Sequence, residues 1–157
     1  MSSPPFDAVL ALPSCRLGVR STHQALSELV FLPPDTPLYA GQQPLAQALA
    51  ELIARWLNNP QQRFDLPLQT RGTPFQRRIW QAISAIPLGE TRHYGELSAL
   101  HGGTARAVGQ ACGANPFPII VPCHRVLAKS GLGGFAHARD GWLLETKRWL
   151  LQHEIKA

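Results

Sequence analysis

The sequence predicts an α+β protein in two parts: a small antiparallel sheet with one helix over residues 1–66, then a mainly helical region over residues 72–157. Three observations carry this. Up to Leu32 the apolar residues come in short runs broken by turn residues. Helical spacing begins only at Pro44. A polar break, Asn58-Asn59-Pro60-Gln61-Gln62, then precedes a second series of helical patterns, so the boundary falls within 58–72. A chain of 157 residues with 45% apolar and 16% charged residues suits one domain or two small ones and is not a disordered composition.

Taken in order, Phe6–Leu12, Arg16–Thr22 and Leu26–Leu32 read as strands of a meander, separated by Pro13-Ser14 and His23-Gln24. Their alternation is only partial. Pro33-Pro34-Asp35 ends the sheet. Pro44 suits the first position of a helix, and Leu45, Leu49, Leu52, Ile53 and Trp56 follow at helical spacing, which predicts an amphipathic helix over 44–57. Residues 64–71 read as an extended crossing. Thr73-Pro74-Phe75-Gln76 has a hydroxyl cap, a proline at the first turn and a glutamine three residues on, the pattern of a capping box. Phe75, Ile79, Trp80, Ile83 and Ile86 give that helix its apolar face, and Pro87-Leu88-Gly89 stops it. Tyr94–His101 is a short helix halted by Gly102-Gly103, and Thr104 caps another over 105–114. Two short helices around a glycine turn are the elements of a helix-turn-helix. Ile119–Val121 reads as a buried strand. Asp140 is the candidate cap of a last helix that buries Trp142, Leu143, Trp149 and Leu150.

Composition narrows the function classes. No apolar run is long enough to cross a bilayer, and Met1–Pro5 lacks a basic stretch followed by an apolar one. Three cysteines, an odd number, argue for a reducing cytoplasm over a disulfide framework. Residues 1–70 hold four Lys/Arg against five Asp/Glu, whereas residues 71–157 hold eleven against five. The net charge of +5 therefore belongs to the second part, where a polyanion such as nucleic acid is a fair partner. The alternative is an ordinary, mildly basic protein.

Two segments stand out. Ala105–Ala114 is a helix of small residues with two glycines, each unfavourable by about 1 kcal/mol against alanine. Close helix packing explains it; so does a smooth face brought against a narrow groove, with Arg106 as its one long side chain. Asn115-Pro116-Phe117-Pro118-Ile119-Ile120-Val121-Pro122-Cys123-His124-Arg125-Val126 sets a cysteine beside a histidine and an arginine in a proline-fixed frame. Positive charge or a base favours the thiolate, which is the nucleophile. Successive side chains of an extended chain point to opposite faces, so Cys123 and His124 need a bridging water or an irregular backbone to cooperate. The alternative is an inert buried cysteine. Tyr94 is either core packing or a phenol placed to donate a proton. By itself, Glu154 reads as a solvated carboxylate near the end of the last helix. Neither Cys15 with His23 nor the other histidines show metal-ligand spacing, so no metal and no cofactor is expected.

From Gly72 to Glu154 the chain resembles the O6-alkylguanine-DNA alkyltransferases, the methylated-DNA–protein-cysteine methyltransferases. The resemblance rests on Gly72-Thr73-Pro74-Phe75-Gln76, Pro87-Leu88-Gly89-Glu90, Tyr94, Ala105-Arg106-Ala107-Val108-Gly109, Asn115-Pro116, Pro122-Cys123-His124-Arg125-Val126 and Lys147–Glu154, in this order. The first 70 residues are similar to the family's amino-terminal domain only in size and strand-then-helix character.

The resemblance implies a ribonuclease-H-like first domain and a winged helix-turn-helix second domain. It implies irreversible, single-turnover transfer of an alkyl group from O6-alkylguanine in duplex DNA to Cys123. His124 would take the thiol proton through a water, Glu154 would hold His124, Asn115 would brace the turn, and Tyr94 would help rotate the base out and hydrogen-bond it. Pro118, Val126 and Phe135 would line the alkyl pocket. Thr104, Ala105, Arg106, Ala107, Gly109 and Gln110 would meet the minor groove of double-stranded DNA, with Arg106 filling the stack. Extrusion of the base costs a few kcal/mol, offset by contacts in the pocket. The protein would act as a monomer without a membrane partner, cooperativity along DNA remaining open. Two departures are visible: the family has tyrosine where Phe135 stands, and a Gly-Gly pair where Ala136-His137 follows. The rival functions are a non-catalytic alkylguanine binder that recruits other factors, which carries another residue in place of the cysteine, a winged-helix regulator, and a cysteine hydrolase.

Overall fold

The computed structural model of the protein describes residues 6–133 and 141–155. Phe135, expected in the alkyl pocket, and Asp140, expected to cap the last helix, lie outside the described residues, as does the connection between them. The chain forms two compact units, Met1–Thr70 and Arg71–Ala157. Together they give a mixed α+β architecture, and none of the described helices is long and apolar enough to cross a membrane.

The first unit is an antiparallel sheet in the order β1 (Ala8–Ala11), β2 (Arg16–Ser21), β3 (Leu26–Leu32), followed by helix α1 (Pro44–Asn58). Ala8 pairs with Val19, and Val19 with Leu29. The partial alternation of the sequence has a structural cause. The β2–β3 register shifts between Arg20 and Ser21, so Glu28 faces Arg20 while Leu26 faces Ser21. The extra residue, Ser27, puts Leu26 and Leu29 on one buried face despite their odd spacing. The segment 64–71, expected to be an extended crossing, holds a three-residue turn in which the Leu66 N–H returns to the Phe64 carbonyl, then one isolated parallel bridge from Leu68 to Leu26. Helix α1 buries Ala46, Leu49, Ile53 and Trp56, and Phe64 meets the Trp56 ring edge-on.

The second unit begins with α2 (Pro74–Ser84), whose capping box is complete: Thr73 Oγ1 accepts the Gln76 N–H, and Gln76 Oε1 accepts the Thr73 N–H. Helices α3 (Tyr94–His101) and α4 (Ala105–Gly113) are joined by Gly102-Gly103-Thr104. Both glycines have positive φ, and at Gly103 an added Cβ would lie 2.8 Å from the Phe75 ring, so a side chain is doubly excluded. Thr104 caps α4 by accepting the Ala107 N–H, and Trp80 of α2 donates its indole N–H to the Ala111 carbonyl. Two short strands, β4 (Arg92–His93) and β5 (Val126–Leu127), pair in parallel. Helix α5 (Trp142–Ile155) closes the unit.

Two expectations fail here. Ile119–Val121 is not a strand. Pro118 and Val121 form one isolated bridge around a tight turn, in which the Val121 N–H reaches the Phe117 carbonyl at 2.8 Å. Ile119, a β-branched residue, sits at φ 76°, a conformation held only by strong surroundings. The buried side of α5 is not the apolar stripe either. Leu150 is buried, but Trp142, Leu143 and Trp149 are half-buried, and the buried set includes Thr146, Lys147, His153 and Glu154.

Candidate active site

The site forms where the turn after α4 meets the end of α5. Asn115 directs the turn with both ends of its amide. Oδ1 accepts the Phe117 N–H at 2.9 Å, and Nδ2 donates to the Val121 carbonyl at 2.8 Å and to Cys123 Sγ at 3.2 Å. Pro122, at φ −81° and ψ 65°, is the centre of a three-residue turn in which the Cys123 N–H returns to the Val121 carbonyl. The chain then makes one turn of 3-10 helix, Cys123–Arg125. The backbone here is irregular, so the alternation by which an extended chain would send the Cys123 and His124 side chains to opposite faces does not apply.

Burial and hydrogen bonding set the ionisation of each group. Cys123 is 4% exposed, and burial, followed by the neighbouring Cys112 thiol, pushes its thiol well above the ordinary value; Asn115 and Lys147 act in the opposite direction. At rest it is a thiol that needs a base. His124 is also buried, with Nε2 2.9 Å from Glu154 Oε2. A carboxylate accepts, so Nε2 carries a proton; in the neutral ring the lone pair is then on Nδ1. Nδ1 is buried with no hydrogen-bond partner among the described residues. Burial lowers the His124 pKa against the raising influence of Glu154, and the charges of Arg125 and Lys147 lower it further. Glu154 is 5% exposed, not the solvated terminus its position suggests. Although burial opposes it, hydrogen bonds from His124 and Arg125 bring its pKa down to about 2.

Tyr94 opens α3 and faces the same region. Its ring packs beside Gly109 of α4, where an added Cβ would lie 3.9 Å away, and the Lys147 ammonium sits 5.9 Å from the ring centroid. Burial and the nearby Cys112 and Cys123 thiols raise the phenol to about 12, so it keeps its proton and can donate. Pro118 and Val126 are buried, and the Val126 N–H closes the turn onto the Cys123 carbonyl. Thr104, Ala105, Arg106 and Gln110 are exposed on α4, Ala107 and Gly109 are half-buried, and the helix buries Val108 and Ala111.

Three participants were not expected. Arg125 grips Glu154. Lys147, wholly buried, donates Nζ to the Val126 carbonyl at 2.8 Å, and burial brings its pKa down to about 8. Cys112, on α4, reaches the Cys123 thiol. A charged residue among the apolar positions of a terminal helix was the available signal for Lys147; Arg125 stood in the motif itself.

Comparisons with known proteins point to one family. A model described as the DNA-binding domain of 6-O-methylguanine DNA methyltransferase matches residues 74–156. The methylated-DNA–protein-cysteine methyltransferase of Salmonella typhimurium is 53% identical over 92 residues, 57% of this chain and 51% of that protein. The chain thus spans about half the length of such curated relatives. The crystal structure of the Mycobacterium tuberculosis O6-methylguanine methyltransferase is similar over 94% of this chain and 91% of its own, at 33% identity and a TM-score of 0.77. A structure of Mycobacterium tuberculosis OGT in complex with DNA is similar at 35% identity over the same shares, also with a TM-score of 0.77. With its Asn115-braced Cys123 and its His124–Glu154 pair, the chain belongs to the 6-O-methylguanine DNA methyltransferase family.

Proposed function

We propose that this protein repairs DNA in the cytoplasm by moving the alkyl group of O6-alkylguanine onto Cys123, once per molecule and without a cofactor. The observation that carries this is the buried Cys123 thiol, held by Asn115, beside a histidine whose Nδ1 lone pair is left available by its Nε2–H···Glu154 bond. In the proposed step Sγ attacks the alkyl carbon, the S–C bond forms, and the bond from carbon to guanine O6 breaks. The thiol proton passes to His124 Nδ1 through a water, and the departing guanine is protonated in turn. Asn115 positions the acceptor. Tyr94, which holds its proton at neutral pH, donates a hydrogen bond to the base. The product thioether has no route to hydrolysis, so turnover stops at one.

For the rest of the molecule, α3 and α4 act as the helix-turn-helix of a winged domain over residues 72–157. The exposed side of α4, with Arg106, enters the minor groove while the damaged nucleotide rotates outward. Pro118 and Val126 bound the alkyl group, and residues 1–66 form the ribonuclease-H-like domain. A monomer on DNA suffices for this chemistry. Binding is salt-dependent and nearly independent of sequence, because phosphates and groove shape supply the contacts.

The experiment is an intact-mass measurement after incubation with duplex DNA carrying one O6-methylguanine. One added methyl group, mapped to Cys123 and never exceeded with excess lesion, is expected. An unchanged mass with tight binding to the lesion duplex would overturn transfer in favour of a recruiting binder.

A further inference from the structure

The step just described gives Arg125 no part, yet all three nitrogens of its guanidinium donate hydrogen bonds. Nε lies 3.0 Å from each oxygen of Glu154, Nη2 donates to Oε2 at 2.6 Å, and Nη1 donates to the Ile86 carbonyl at 2.6 Å. Glu154 Oε2 therefore receives both the arginine fork and the His124 Nε2–H, with the carboxylate almost wholly out of water. The charged groups that face His124 are Glu154 and Lys147 from α5 and Arg125 from its own turn. Two cations disfavour an imidazolium there and one carboxylate favours it.

We propose that Arg125 is a positioning residue for alkyl transfer: it takes up the charge of Glu154, so that His124 rests as a neutral base rather than as an imidazolium paired to that carboxylate. A buried carboxylate without a cation is costly, and a nearby imidazole is the obvious group to be protonated in response. An imidazolium has no lone pair at Nδ1 and cannot accept the thiol proton. With Arg125 present, Glu154 orients His124 through Nε2 without charging it. One guanidinium reaches both carboxylate oxygens and anchors to the Ile86 carbonyl, which keeps its positive charge against Glu154; the charge is what spares His124 the proton. The lowered pKa values of His124 and Glu154 have the direction this arrangement requires. The use made of the base rests on the alkyltransferase function; the protonation state of His124 does not.

The test follows His124 directly, by imidazole NMR titration of the full chain in the wild type, Arg125→Gln and Arg125→Lys. In the wild type the midpoint lies below the ordinary 6.5. In Arg125→Gln it rises above the wild-type value. Arg125→Lys, which keeps the charge and loses the fork, stays near the wild type. Methyl transfer to Cys123 on the same samples falls about tenfold or more at pH 7 in Arg125→Gln, within what a positioned base contributes, and recovers as the pH is raised. A merely structural arginine would slow transfer at every pH alike. The proposal is overturned if the wild-type midpoint is at or above 6.5, if Arg125→Gln leaves it unmoved or lowers it, or if the Lys and Gln variants shift together. If Arg125→Gln does not fold, the wild-type midpoint and the Lys variant still decide. Absence of transfer in the wild type would strike the alkyltransferase function and leave the titration readable.

Discussion

Helices α1 and α5 both complete a unit of this protein, and they are built on opposite terms. Helix α1 buries Ala46, Leu49, Ile53 and Trp56, an apolar stripe at helical spacing. Helix α5 buries Leu144 and Leu150 together with Lys147, His153 and Glu154. The first face is stabilised by burial of apolar surface. The second satisfies its buried charges one by one: Lys147 on the Val126 carbonyl, Glu154 on His124 and Arg125, with His153 stacked on Trp149. Replacing such polar pairs by apolar residues is often neutral or stabilising, so stability alone does not explain their presence. Helix α5 is thus fitted to the polar groups of the turn it packs against, and α1 to its apolar core.

Four substitutions bear on that contrast. The largest effect is expected of Cys123→Ala, which should abolish methyl transfer while DNA binding persists; a variant that still acquires the methyl group would remove Cys123 as the acceptor. Glu154→Gln should slow transfer by about 10²- to 10⁴-fold, the range of a positioned base, in a single-turnover assay. It should also change acid stability in a defined direction. The folded pKa of Glu154 is about 2 against an ordinary 4.5, so its contribution is present above about 4.5 and is lost as the pH falls towards 2. Denaturant titrations over that window should show a flatter pH dependence in Glu154→Gln. On the other side of the comparison, Leu49→Ala in α1 should cost about 2–5 kcal/mol of stability, read by denaturant unfolding, with transfer by the folded protein unchanged. If Leu49→Ala slowed transfer as much as Glu154→Gln does, the division between the two helices would fail. The smallest effect belongs to Gly109→Ala. An added Cβ makes only ordinary contact with Tyr94 at 3.9 Å, so thermal unfolding should show a gain of up to about 1 kcal/mol from helix propensity.

The same contrast explains what was legible in the sequence. Helix α1, the capping box of α2, and the α3–glycine–α4 succession follow from local patterns, because each is decided by residues a few positions apart. The Asn115…Cys123-His124 segment stood out in the sequence by its residue types, a cysteine beside a histidine and an arginine. Its shape was not, because proline-framed apolar residues suit a buried strand as well as a turn with Ile119 at positive φ, and only the Asn115 bonds decide between them. The shift at Arg20/Ser21 hid part of the β3 alternation in the same way. The burial of Glu154 and the engagement of Arg125 depend on partners about thirty residues apart in the chain, beyond the reach of any periodicity.

If a neutral His124 relieves the buried Cys123 thiol of its proton, the pH dependence of single-turnover methyl transfer will show it. Because the thiol is held well above its ordinary pKa and His124 below its own, the expected rate is level through neutral pH and declines only on the acid side of 6.5. A rate that instead climbs tenfold per pH unit from neutrality to beyond pH 9, following free ionisation of the thiol, would contradict it.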